Sequence, residues 1–125
     1  MDTNQLEVIG AGLFFFFIYL SGFRLRHLGK PYSSLLFNLH KLLGLAAVVF
    51  LGIVAYRYNQ VSPLDPYEII GSAITFTLFA ATITTGGLLN IDRPVPPVLK
   101  VSHQFLPYIT TLATAITLYL IVRID

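Results

Sequence analysis

Charged positions cut the chain into four long apolar stretches. Val8 to Phe23 has no charged residue and contains the run Phe14-Phe15-Phe16-Phe17. Leu42 to Tyr56 and Ile69 to Ile91 have none either, and Val101 to Val122 holds one ionisable group, His103. Each stretch, with its flanks, approaches the ~20 residues needed to cross the hydrocarbon of a bilayer. Inside hydrocarbon the backbone must satisfy its own hydrogen bonds, so these stretches are helices. The pattern predicts helices over about 5–24, 34–58, 66–89 and 98–123. The breaks carry their own chemistry. Gly29-Lys30-Pro31 separates the first two spans, Asn59 to Pro66 the second and third, and Asn90 to Pro97 the third and fourth. Proline removes a backbone donor and biases its predecessor away from helix. Pro97 suits the first turn of the last helix. The fold expected is all-α: one four-helix transmembrane bundle covering 1–125.

Composition narrows the function classes. The 125 residues are 55% hydrophobic and 11% charged, with a mean hydropathy of +0.74. A soluble domain carries about 25% charged residues, and disordered chains are charge-rich and poor in aromatics. Four spans take roughly 80 residues, so no soluble catalytic domain is expected beside them. The absence of cysteine excludes disulfides, iron–sulfur clusters, thiolate zinc and c-type haem attachment. A net charge of +2 is too small to imply nucleic acid. The first span is flanked by Asp2 and Glu7 rather than by basic residues, so it does not read as a signal peptide.

The distribution of the charges predicts direction. Arg24, Arg26, Lys30 and Lys41 cluster around the first loop, and Arg93 and Lys100 around the third. The opposite side has only Arg57 and Arg123, with Asp2, Glu7, Asp65, Glu68 and Asp125. The positive-inside bias therefore expects loops one and three in the cytoplasm and both termini outside, in a plasma (inner) membrane. Tyr56, Tyr58, Tyr67 and Tyr119 fall near the outer boundary, as an aromatic belt does.

A shift of 63 positions superimposes the halves without a gap. Asp2 meets Asp65, Pro31 meets Pro94, His40 meets His103 and Leu43 meets Leu106. The shared pattern is a basic residue, proline, then histidine and leucine, in Lys30-Pro31…His40…Leu43-Gly44 and Arg93-Pro94…His103…Leu106-Pro107. Chance matching in an apolar sequence is one reading. A tandem repeat of two helical hairpins, related by an axis along the membrane normal, is the other.

Ionisable groups inside spans are functional candidates by default. His40 and His103 each fall roughly 8–10 Å beyond the start of their helices at 1.5 Å per residue, on helices expected to run in the same direction. On the face of His40 lie Gly44, Ala47, Leu51 and Val54; on that of His103 lie Pro107, Thr110, Thr114 and Thr117. Small residues beside a ligand leave clearance for a flat porphyrin, and they serve close helix packing equally. Haem iron takes two imidazoles, and bundle cores build such sites from facing helices. The propionates of a haem b would find Arg24, Lys30 and Arg93 at the same end. The plainer reading is a pair of interfacial histidines bonded to backbone carbonyls or water. His27, in the basic loop near Tyr32, reads as a solvated residue or as a quinone or propionate contact. The threonines read as bonded to their own backbone or packing helices, and Phe14 to Phe17 as lipid-facing or haem-edge packing.

Four helices, a histidine near the start of two parallel spans and Gly44 four residues after one of them resemble the membrane b-type cytochromes. These include the haem-bearing anchors of respiratory oxidoreductases and the ascorbate-reducible cytochrome b group. The resemblance implies His40 and His103 as axial ligands of one haem b. It also implies electron transfer to or from quinone, and partner subunits of a larger membrane redox complex. Many of those proteins hold two haems on four histidines, whereas the outer half here has no histidine. Two alternatives stand beside this: a cofactor-free anchor or assembly subunit, and a pigment protein whose histidines each ligate a chlorophyll magnesium. A proton pump is disfavoured because no span has a carboxylate in its middle.

Overall fold

The computed structural model describes residues 2–91 and 93–122. Arg123 and Asp125, used above for direction, and the predicted helix end at 123 lie outside the described residues. Four helices follow one another: α1 (Thr3–Leu28), α2 (Ser34–Val61), α3 (Pro66–Leu89) and α4 (Pro97–Val122).

Two of these helices start on the same device. The Asp2 carboxylate accepts the Gln5 N–H at 2.8 Å, and the Gln5 side chain accepts the Asp2 N–H at 3.3 Å. At the head of α3, Asp65 accepts the Glu68 N–H at 2.8 Å, and Glu68 accepts the Asp65 N–H at 2.9 Å, with Pro66 in the first turn. Each box satisfies two otherwise orphaned donors, and an N-cap of this kind is worth about 1 kcal/mol. Asp2 and Asp65 are the residues that the 63-position shift superimposes, so the halves share their helix start as well as their histidine.

α1 runs four residues beyond the predicted end at 24. The apolar run stops near Phe23, but helical hydrogen bonding does not require apolar side chains. The actual stop is Gly29, whose φ of +72° and ψ of −179° lie in a region essentially reserved for glycine. Its N–H closes the helix on the Leu25 carbonyl at 3.0 Å. His27 therefore stands in the last turn of α1 and not in a loop. There, together with Arg26, it opposes the negative end of the helix dipole. The Lys30–Pro31 peptide that follows is cis.

The chain divides into two compact units. The first comprises α1 and α2 through Arg57; the second begins at Tyr58 and contains α3 and α4. Within the first, Glu7 pairs with Arg57, Phe14 meets Phe50 at a ring-centroid distance of 5.4 Å, and Ser21 meets His40. Rising numbers on α1 meet falling numbers on α2, which makes an antiparallel hairpin. In the second, Thr75 meets Thr117, Thr82 meets Thr110 and Thr85 meets His103, with the same sense.

All four helices are long and apolar enough to cross a membrane, and no more than a third of the apolar window of each is buried. Large apolar side chains such as Leu13, Phe16, Phe17, Leu42, Val49, Ile74 and Leu112 are exposed, while Ser21, Thr75, Thr110, Thr114 and Thr117 are buried. This inverts the arrangement of a protein dissolved in water. Lipid tails remove the drive to bury leucine, so helices associate through small and hydrogen-bonding groups. The protein is a multi-pass membrane protein. Tyr56, Tyr67 and Tyr119 are exposed, as a boundary belt requires.

Candidate functional site

Each hairpin holds one histidine against a hydroxyl and a glycine of the preceding helix. In the first, the Ser21 Oγ lies 2.7 Å from Nδ1 of His40. The next residue, Gly22, lies under the ring: a Cβ added there would sit 3.1 Å from the His40 Cε1. In the second, the Thr85 Oγ1 lies 3.0 Å from Nδ1 of His103. The next residue is again glycine, and a Cβ at Gly86 would sit 2.8 Å from the His103 Cε1. Each histidine is six residues into its helix, about 9 Å along the axis at 1.5 Å per residue. Both rings are half-buried.

The glycines are needed for this approach. Any side chain at Gly86 occupies the place of the imidazole edge, and the ring has to turn away from Thr85. Overpacking of this kind costs about 1–3 kcal/mol. Gly86→Ala is therefore expected to lower the thermal midpoint in detergent, and by more than Gly22→Ala, whose contact is looser. Equal midpoints for the two variants would contradict this account.

The other predicted site residues divide by role. Thr110 is almost fully buried; it donates to the Leu106 carbonyl at 2.8 Å and lies 3.1 Å from the Thr82 hydroxyl, so it belongs to the α3–α4 seam. Thr114 donates to the Thr110 carbonyl and Thr117 meets Thr75, in the same seam. Each threonine hydroxyl thus has one proton for its own helix or for the partner across the hairpin, and its oxygen accepts in the other contact. Ala47 is buried, and a Cβ at Gly44 would meet no atom within 4 Å. Pro107 sits inside α4; having no N–H, it leaves the His103 carbonyl without its helical donor. Arg24, Lys30 and Arg93 are exposed. Arg24 stands one turn beyond Ser21 on α1, and Arg93 lies in the α3–α4 connection. These three cations stand at the histidine-bearing ends of their hairpins. Phe14 packs on Phe50, whereas Phe16 and Phe17 are exposed. The Tyr32 ring stacks on Phe37 at 6.2 Å.

Sequence reasoning missed Ser21, Gly22, Thr85 and Gly86. The signal is present as a hydroxyl–glycine dipeptide before each histidine. The gap-free shift hides it, because Ser21 precedes His40 by 19 positions and Thr85 precedes His103 by 18. No protein-family model, no curated protein and no solved structure matches this chain.

Proposed function

We propose that the protein is a membrane b-type cytochrome subunit, with His40 and His103 as the axial ligands of one haem b. The observation that carries this reading is the matched presentation of the two imidazoles, each tied through Nδ1 to a hydroxyl of its own hairpin. Ligating histidines characteristically have one ring nitrogen engaged in this way while the other binds the metal. The donor set fits the group: two neutral imidazoles suit a low-spin haem iron. When bound, a haem supplies one-electron exchange at nearly fixed geometry.

The residues of the chain do the rest. The hairpin seams hold the ligand-bearing helices, and Arg24, Lys30 and Arg93 provide cations for the propionates. Direction follows from the basic loops, with loops one and three in the cytoplasm and both termini outside a plasma (inner) membrane. The core is about 30 Å thick and the histidines lie toward one side, so electrons pass on to partner subunits of a larger respiratory or photosynthetic complex, with quinone as the exchange partner.

The test is the spectrum of the detergent-purified protein, oxidised and dithionite-reduced. A six-coordinate low-spin b-type spectrum is expected. A protein that stays colourless after expression and reconstitution with haem overturns the proposal, and chlorophyll bands select the pigment reading instead. Neutralising Arg24, Lys30 or Arg93 with glutamine is expected to lower the reduction potential modestly, because nearby cations favour the less positive ferrous state. Potentials unmoved in all three variants would remove the propionate assignment.

A further inference from the structure

We infer that Ser21 and Thr85 are positioning residues that fix both imidazoles as the Nδ1–H tautomer, so that the Nε2 of each carries the lone pair a metal takes. A hydroxyl has one proton to give. The Ser21 Oγ–H donates to the Ile18 carbonyl at 3.0 Å, and the Thr85 Oγ1–H donates to the Thr82 carbonyl at 3.0 Å. With their protons committed, the two oxygens face the histidines with lone pairs only. The contacts of 2.7 and 3.0 Å to Nδ1 are then Nδ1–H bonds that the hydroxyls accept. The opposite assignment sets a hydroxyl lone pair against a carbonyl lone pair at 3.0 Å. A neutral imidazole has one N–H, so an engaged Nδ1–H leaves Nε2 unprotonated.

The arrangement recurs. Serine does this on α1 and threonine on α3, each followed by a glycine that lets the ring approach. Deeper in the second hairpin, the Thr82 and Thr110 hydroxyls meet at 3.1 Å, so one of them gives its proton to the other and one can return its proton to the carbonyl four residues back. At Ser21 and Thr85 local back-bonding turns the hydroxyl into a pure acceptor. An accepted Nδ1–H bond also makes the ring a stronger electron donor at Nε2. That consequence rests on the haem reading; the tautomer does not.

Two measurements keep the claims apart. The first is nitrogen-15 NMR of histidine-labelled, haem-free full-length protein in lipid. A protonated Nδ1 and an unprotonated Nε2 are expected at both sites. Ser21→Ala and Thr85→Val are expected to mix the tautomers of the facing ring only, and Ser21→Thr and Thr85→Ser to restore them. Protonated Nε2 in the wild type, or rings indifferent to loss of the hydroxyl, overturns the inference whether or not haem binds. The second is redox titration of the haem-loaded protein. Ser21→Ala and Thr85→Val are expected to keep a low-spin spectrum, weaken haem retention about 10–100-fold and raise the reduction potential, with recovery in the conservative variants. Loss of haem binding in every protein, wild type included, overturns the haem reading and leaves the NMR result to decide the tautomer.

Discussion

His40→Ala and His103→Ala are each expected to convert a six-coordinate low-spin spectrum into a five-coordinate high-spin one, or to abolish haem uptake. Under the proposed haem ligation, removing one imidazole would leave the iron with a single protein ligand, and the sequence has no cysteine to replace it. The single Met, Met1, lies outside the spans. The double variant is expected to bind no haem. The folded hairpins are expected to survive each single change. Ser21 keeps its proton on the Ile18 carbonyl and Thr85 keeps its own on the Thr82 carbonyl, so alanine at either histidine strands no donor. Far-ultraviolet circular dichroism therefore stays constant while the visible spectrum changes. Exogenous imidazole is expected to restore the low-spin bands in part, because it replaces the deleted ring. His27→Ala, in the last turn of α1, is expected to leave the spectrum intact. Interfacial histidines bonded only to carbonyls or water predict no spectral effect of any of these changes.

Arg57→Ala is expected to be the most destabilising single substitution at the far end of the first hairpin. Glu7 is 8% exposed, with one carboxylate oxygen paired to Arg57 and the other buried without a hydrogen-bond partner among the described residues. Removing the guanidinium leaves an uncompensated carboxylate among apolar groups, where charge is expensive. Breaking a fully buried pair from one side costs about 3–5 kcal/mol. The Arg57 side chain is 46% exposed, so solvent screening brings the loss below that range. Glu7→Gln is expected to cost much less. The amide still accepts a bond from Arg57, and Arg57 keeps its access to water and headgroups. The asymmetry is the measurable quantity, read as unfolding midpoints in detergent or mixed micelles. Equal losses for the two variants, or a larger one for Glu7→Gln, would show that the buried carboxylate is not what Arg57 compensates.

The 63-position shift does not carry the Glu7–Arg57 pair across to the second hairpin. The 63-position shift places Glu7 on Ile70 and Arg57 on Leu120. The halves agree where they form helix starts and hold histidines. They differ along the seam, which is partly aromatic in the first hairpin and hydroxyl-rich in the second. Phe14 on Phe50 and Thr82 on Thr110 occupy the middle of their hairpins and solve the same packing problem by different chemistry. Thr111, which donates to the Pro107 carbonyl at 2.7 Å, adds a local bond beside the proline of α4.

Four helices, their order and most of their ends were legible in the sequence, because hydrocarbon leaves an apolar run no other conformation and proline and glycine limit where it stops. The beginnings of α2 and α3 and the end of α3 fall at the predicted residues, since Ser33, Pro66 and Asn90 are local signals. Helices α1 and α2 run four and three residues past their predicted ends at 24 and 58, because side-chain polarity is a poor guide to where backbone hydrogen bonding ends. The histidines were legible as well, since an ionisable group in an uncharged span stands out against its surroundings. Their partners were not. Serine, threonine and glycine are common in membrane helices, and nothing in their spacing distinguishes a hydroxyl that meets a histidine from a packing one. Which of them meets a histidine depends on how two antiparallel helices cross, and one residue of slip exchanges Thr84 for Thr85. The sequence by itself determined the helices and the two imidazoles, because those follow from solvent and local backbone chemistry. Only the tertiary structure decided that Ser21 and Thr85 hold the rings and that Glu7 is buried against Arg57, because contacts across a hairpin are set by the register of two surfaces.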